Sequence, residues 1–141
     1  MSFPNLKYTA PVFFISFILL ASCLKKGWKV YDPIFSISEQ NISQRIKEIT
    51  TSEKVNFSGK VYRKEYPLLR KTLQIEIINS GINFSNDAEL KASGLLVVKT
   101  IKQSLVNSKQ YSEYAVIFIE TSSNFFWKQN RSKYFYYPSL M

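Results

Sequence analysis

Chemistry in this chain is limited first by what it lacks. The 141 residues include no histidine, which removes Ser-His-Asp and Cys-His catalysis, histidine-ligated zinc and the usual proton shuttle of neutral pH. One cysteine, Cys23, is present, so no intramolecular disulfide can form. The four glycines, at positions 27, 59, 81 and 94, are scattered, and no phosphate-cradling glycine loop is visible. Neither a metal nor a cofactor is expected. Carboxylates are what remains for acid–base work. Glu76 and Glu120 fall on separate strand-like segments and would form a donor–acceptor pair if the fold brought them together. That is the one route to an enzyme, a carboxylate-based hydrolase.

Two groupings point instead to binding. Phe125, Phe126, Trp127, Tyr134, Phe135, Tyr136 and Tyr137 occupy seven of the thirteen positions from 125 to 137. Neighbours on a strand point to opposite faces, so Tyr134 and Tyr136 share one face and Phe135 and Tyr137 the other. One row fills a core. The other row, together with Trp127, is a candidate surface for stacking on sugar rings or meeting a protein, unless other elements cover both faces. The second grouping is basic: Lys60, Arg63, Lys64, Arg70 and Lys71, with only Glu65 opposing. It falls at the end of a predicted hairpin and suits phosphate or carboxylate groups, or simply a solvated hairpin tip. The whole chain carries 19 basic and 10 acidic residues, a formal +9. Such a balance favours anionic neighbours (phospholipid head groups, acidic polysaccharides, nucleic acid) and also serves solubility.

The amino-terminal segment narrows that choice. Residues 1–9 are short and polar, with Lys7 the only charge, and an apolar run of twelve residues follows from Ala10 to Ala21. Spanning a bilayer needs roughly 17–25 apolar residues, whereas a run this short suits the hydrophobic region of a signal peptide. It ends in Leu20-Ala21-Ser22-Cys23. This resembles the lipobox of bacterial lipoproteins, a large aliphatic and two small residues before an invariant cysteine. The resemblance covers residues 1–23 only. It implies that the Cys23 thiol receives a diacylglycerol and that a dedicated peptidase cuts before it. Small side chains at Ala21 and Ser22 suit entry of an extended peptide into a protease cleft. Each buried lipid CH₂ adds about 0.8 kcal/mol, so two or three chains hold firmly where one is marginal. Cleavage would remove one base, Lys7, and no acid, for a formal +8. The residue after the cysteine is Leu24 rather than aspartate. By the same resemblance that favours the outer membrane, facing the periplasm, over the inner membrane. Export makes nucleic acid an unlikely partner.

The elements that must position these residues follow from periodicity. Residues 23–35 read as the lipidated cysteine and a short tether, with a turn at Asp32-Pro33. Residues 36–141 read as a single domain. A helix is predicted over 37–50, with Ser36 and Glu39 as a capping box and Ile42, Ile46 and Ile49 as its apolar stripe. Alternation predicts strands over 54–64 and 70–79. A second helix is predicted over 87–106, capped by Asn86, with Leu90, Gly94, Val97, Val98, Ile101 and Leu105 in one stripe. Leu95, Leu96 and Val106 fall off the stripe and imply broader burial. Gly94 would allow close approach to a sheet. The near-continuous apolar run in 113–121 predicts a central strand buried on both faces. Residues 124–128 and 132–137 then read as a hairpin around Lys128–Arg131. The expected fold class is α+β, in the order α-β-β-α-β-β. It is a two-layer arrangement with two helices on a mostly antiparallel sheet of four to five strands.

These readings converge on a lipid-anchored envelope protein with a non-catalytic binding or accessory role, its partner an envelope protein or glycan. An immunity or inhibitor lipoprotein and, less well supported, an envelope hydrolase are the alternatives. The anchor reading makes a sharp prediction. Cys23→Ser should leave an unprocessed precursor that takes up no lipid label, as seen by gel mobility and metabolic labelling with a fatty acid. Normal maturation of that variant would contradict it.

Overall fold

The computed structural model describes residues 32–63, 69–123 and 128–139. The first helix, α1 (Glu39–Thr50), begins at Ser38, whose hydroxyl accepts from the Asn41 amide. The expected cap at Ser36 is displaced by two residues. The Ser36 amide is instead committed to the Ser104 carbonyl, 2.7 Å away, which ties the start of the domain to the end of the second helix. Ile42 and Ile46 are fully buried, but Ile49 is 36% exposed. The buried stripe runs on to Thr50, which satisfies its hydroxyl by donating to the Ile46 carbonyl at 2.8 Å. The helix stops at Thr51, which takes left-handed backbone angles (φ 51°). The Gly81 amide donates to the Thr50 and Thr51 carbonyls there, and a Cβ on Gly81 would lie 3.0 Å from that of Thr51. A glycine is what lets this loop close on the helix end.

Strands β1 (Lys54–Arg63) and β2 (Leu69–Ile78) pair antiparallel. The chain then forms α2 (Asp87–Ser104), a 3-10 turn (Ser108–Gln110), β3 (Glu113–Ser123) and β4 (Lys128–Pro138). Asn86 caps α2 as expected: its side chain accepts from the Glu89 amide and donates to the Glu89 carboxylate. The order is α-β-β-α-β-β with four strands, as an α+β fold requires, but the sheet is mixed rather than mostly antiparallel. Its spatial order is β1-β2-β3-β4, with β2 and β3 parallel. The reason is the length of α2. Eighteen residues at about 1.5 Å each carry the chain back along the whole of β2, so β3 must start where β2 started. The expected hairpin around Lys128–Arg131 is also corrected. Those residues lie inside β4, paired with Glu120–Ser123 of β3.

The core lies between the two helices and one face of the sheet. Leu73, Ile75 and Ile77 of β2 and Tyr114, Val116 and Phe118 of β3 meet Ile42, Ile46, Leu90, Val97 and Ile101. Each fully buried aliphatic side chain contributes about 1.5–3 kcal/mol. Burial of β3 on both faces holds: every residue from Tyr114 to Phe118 is buried. Broader burial of α2 does not, for Leu96 and Val106 are exposed. The stretch from Asp32 to Phe35, given above to the tether, is fastened to the domain. The Val106 amide donates to the Ile34 carbonyl, the Asn107 side chain to that of Asp32, and Phe35 bridges Leu105. Among the described residues, no helix is long and apolar enough to cross a membrane.

Gly94 sits where α2 crosses β4. A Cβ there would fall 2.3 Å from the Tyr137 hydroxyl, which itself donates to the Lys91 carbonyl at 2.7 Å. Gly94→Ala should therefore destabilise the domain by about 2 kcal/mol, against the ~1 kcal/mol that alanine gains as a helix former. In a Tyr137→Phe background the same change should cost less, because the clashing oxygen is gone. Chemical denaturation of the four proteins in this cycle checks it, and a stabilising Gly94→Ala would contradict it.

Candidate functional site: the open sheet face and the basic end

Strand parity decides which candidate residues meet. Two rows cross the face that the helices leave open. One runs Ser58, Gln74, Ala115, Tyr136, and the next runs Asn56, Glu76, Ile117, Tyr134. The face is divided. On the β1–β2 side, the Asn56 and Gln74 side-chain amides donate to the two oxygens of Glu76, at 3.2 and 3.0 Å. On the β3–β4 side, Tyr134 and Tyr136 stand 56% and 60% exposed beside the small or aliphatic Ala115 and Ile117. Opposite sides for the two tyrosine rows hold as alternation requires. Phe135 and Tyr137 point into the core, where Phe135 meets Phe118 edge to face at 6.0 Å.

The carboxylate pair does not form. Glu76 aligns with Ile117, and Glu120 is three residues further along β3, an odd step that puts it on the helix-covered side. There Glu120 pairs with Arg131 at 3.5 Å. Arg131 and Lys133 flank the Phe84 ring, at 4.9 and 5.1 Å from its centroid, and Lys133 pairs with Asp87. Sequence spacing alone could not give this, because it leaves the phase between two strands open.

The basic residues do gather. Lys60 on β1 aligns with Thr72 on β2, and Arg70 and Lys71 precede it. Their opposition is not Glu65 alone. Glu113 at the start of β3 accepts from Arg70 at 3.3 Å and from the Thr72 hydroxyl at 2.7 Å. Arg63 ends β1. Lys64 and Trp127, and the Leu20, Ala21, Ser22 and Cys23 of the lipobox, lie outside the described residues.

Sequence reasoning missed one feature of this end. A recess of about 370 Å³ is lined by Lys102, Ser108, Lys109, Tyr111, Tyr114 and Ser139. Lys102 donates to the Ser139 carbonyl at 2.7 Å and sits 5.5 Å from the centre of the Tyr114 ring, a cation over an aromatic face. These residues come from the last turn of α2, the 3-10 turn and the residue after it, the start of β3 and the residue that follows β4, so no local spacing announces them. Burial pushes the phenols of Tyr114 and Tyr137 above their ordinary value. It takes Tyr111 to about 12, against an opposing hydrogen bond from Asn107. All three shifts lead away from neutrality, so these phenols stay protonated at pH 7. Among the described residues, no group of three acidic or cysteine side chains is placed to hold a metal ion.

Compared with known proteins, the chain matches no family model, no curated protein and no solved structure.

Among the described residues, the buried Tyr114 hydroxyl has no hydrogen-bond partner. Removing a buried polar group that has no partner costs nothing and recovers its desolvation penalty. Tyr114→Phe should leave stability unchanged or raise it by about 1 kcal/mol, whereas Tyr137→Phe, which loses the bond to Lys91, should lower it. Thermal unfolding of the two variants decides the matter. A destabilised Tyr114→Phe would mean that the phenol has a partner.

Proposed function

We propose that the chain is a bacterial envelope lipoprotein, held to the membrane through lipid on Cys23, whose domain is a non-catalytic binding or accessory module. The outer membrane, facing the periplasm, is the proposed location. The observation that carries the binding role is the Tyr134–Tyr136 row. Two large aromatic side chains stand more than half exposed on the sheet face away from the helices, beside Ala115 and Ile117, while their strand neighbour Tyr137 is buried. Exposed tyrosines on a rigid strand offer large, amphipathic contact area at small cost in side-chain entropy, the usual make-up of a protein- or glycan-binding patch. The separation of Glu76 from Glu120 takes away the support for the hydrolase alternative.

Tyr134→Ala with Tyr136→Ala tests the reading. Both side chains point away from the helix-covered core, so the double variant should stay folded, losing only the cross-strand contacts to Ala115 and Ile117, about 1–2 kcal/mol together. Affinity capture of the full-length protein from envelope extracts should yield a stoichiometric partner with the wild type and lose it with the double variant. Capture of the same partners by both proteins at equal yield would contradict the assignment of this face.

A further inference from the structure

The described chain enters and the basic side chains cluster at one and the same end of the domain. Entry is fixed by four contacts: Asp32 to Asn107, Ile34 to Val106, Phe35 bridging Leu105, and the Ser36 amide on the Ser104 carbonyl. All of these partners lie at the end of α2 or just beyond it. The start of β3 is at this end as well, because the Ser112 amide and hydroxyl both bond the Lys71 carbonyl, at 2.8 and 3.1 Å. The end of β4 is held there by the Ser139 amide on Ser112. This end therefore carries Lys60, Arg70, Lys71, Lys102 and Lys109. Against them stand Asp32, Glu39 and Glu113, and Glu113 is already engaged by Arg70 and Thr72.

The opposite end is different. There basic and acidic groups interleave: Arg131 pairs with Glu120, Lys133 pairs with Asp87, and Lys54 follows Glu53, whose carboxylate accepts from Asn79. The end from which the chain leads back toward Cys23 thus carries five of these bases against three acids, whereas at the opposite end Lys47, Lys54, Lys128, Arg131 and Lys133 are matched by Glu48, Glu53, Asp87, Glu89 and Glu120. Cys23 lies nine positions before Asp32, a length that spans at most about 30 Å when extended.

We propose that this end is a membrane-docking surface for anionic phospholipid. The domain stands on the bilayer with Lys60, Arg70, Lys71, Lys102 and Lys109 against the head groups and the recess between Lys102 and Lys109 turned toward them. In this pose the Tyr134–Tyr136 face looks sideways, along the membrane, and stays open to a partner. Each lysine near an anionic surface contributes about 1 kcal/mol, an attraction that fades within a Debye length. Nine positions of chain keep the domain within about 30 Å of the anchor, so this end meets the surface often without being forced onto it. The proposal rests on the lipid-anchor reading for its orientation, and on the charge distribution for the surface itself.

Lysine acylation of the full-length protein, read by mass spectrometry, tests it. The protein is placed in detergent, in vesicles of phosphatidylcholine alone, and in vesicles containing phosphatidylglycerol. Lys60 and Lys109, both exposed, report the docking end, and Lys54 and Lys128, also exposed, report the opposite one. In phosphatidylglycerol vesicles Lys60 and Lys109 should label about fivefold more slowly than in detergent, Lys54 and Lys128 should not change, and high salt should abolish the difference. Equal labelling of the two ends, or protection of Lys54 and Lys128 instead, would overturn the proposal. The mass of the Cys23 peptide in the same digest reports the anchor separately. A lipidated cysteine with no end-specific protection sinks the docking surface alone. An unlipidated Cys23 with Lys60 and Lys109 still protected sinks the anchor alone.

Discussion

Seven residue pairs, from Thr72–Glu113 to Ile78–Ile119, join β2 to β3 in parallel, and the geometry of the rest follows from that contact. A parallel pair of adjacent strands needs a crossover, and α2 supplies it. Because the crossover runs the length of β2, the end of α2, the start of β2 and the start of β3 share one end of the molecule. Phe35 and Ser36 then fasten the incoming chain to that same end through Leu105 and Ser104. Had β3 run antiparallel to β2, the Lys60–Lys71 and Lys102–Lys109 groups would sit at opposite ends and no single basic surface would exist.

The same crossover puts the helices on one side. Ile42 and Ile46 of α1 and Leu90, Val97 and Ile101 of α2 cover Leu73, Ile75, Ile77, Tyr114, Val116 and Phe118. The other side keeps the alternate residues of each strand. It is closed chemically on the β1–β2 half, where Asn56, Gln74 and Glu76 bond one another, and apolar on the β3–β4 half. Ala115 and Ile117 are nearly inaccessible there although no helix covers them. The exposed Tyr134 and Tyr136 on this half offer contact area, and that is what supports the proposed binding role. One-sided covering also explains the tight seat at Gly94: with a single helical layer, α2 must approach β4 closely enough to bury Tyr137, and only a residue without a side chain fits above its hydroxyl.

Much of this was legible in the residues. The alternation of Val55, Phe57, Gly59 and Val61, and of Leu73, Ile75 and Ile77, named the buried face of the first hairpin correctly, because period two leaves little choice once one row is apolar. The same parity separated Tyr134 and Tyr136 from Phe135 and Tyr137. The Asn86–Glu89 cap and the stripe of α2 were equally plain, and so was the use of Gly94. What could not be read was relational. Alternation does not say whether two strands run together or against each other, nor how they are phased, so the mixed sheet and the separation of Glu76 from Glu120 were hidden. Ser36 carries a capping pattern as good as that of Ser38, and only its bond to Ser104, sixty-eight positions away, decides against it. Lys128–Arg131 has the polarity of a turn but pairs with Glu120–Ser123, a match that composition alone does not show. The recess at Tyr114 draws on four elements and has no local signature.

The direction of β3 against β2 is the claim on which entry point, basic end and open face all stand. Nuclear Overhauser contacts in the isotope-labelled protein report it directly. The account predicts strong Hα–Hα contacts across β1–β2 and β3–β4, as antiparallel pairs give. Across β2–β3 it predicts only Hα–HN contacts in the register that sets Ile75 beside Val116. Strong Hα–Hα contacts between β2 and β3 would contradict it.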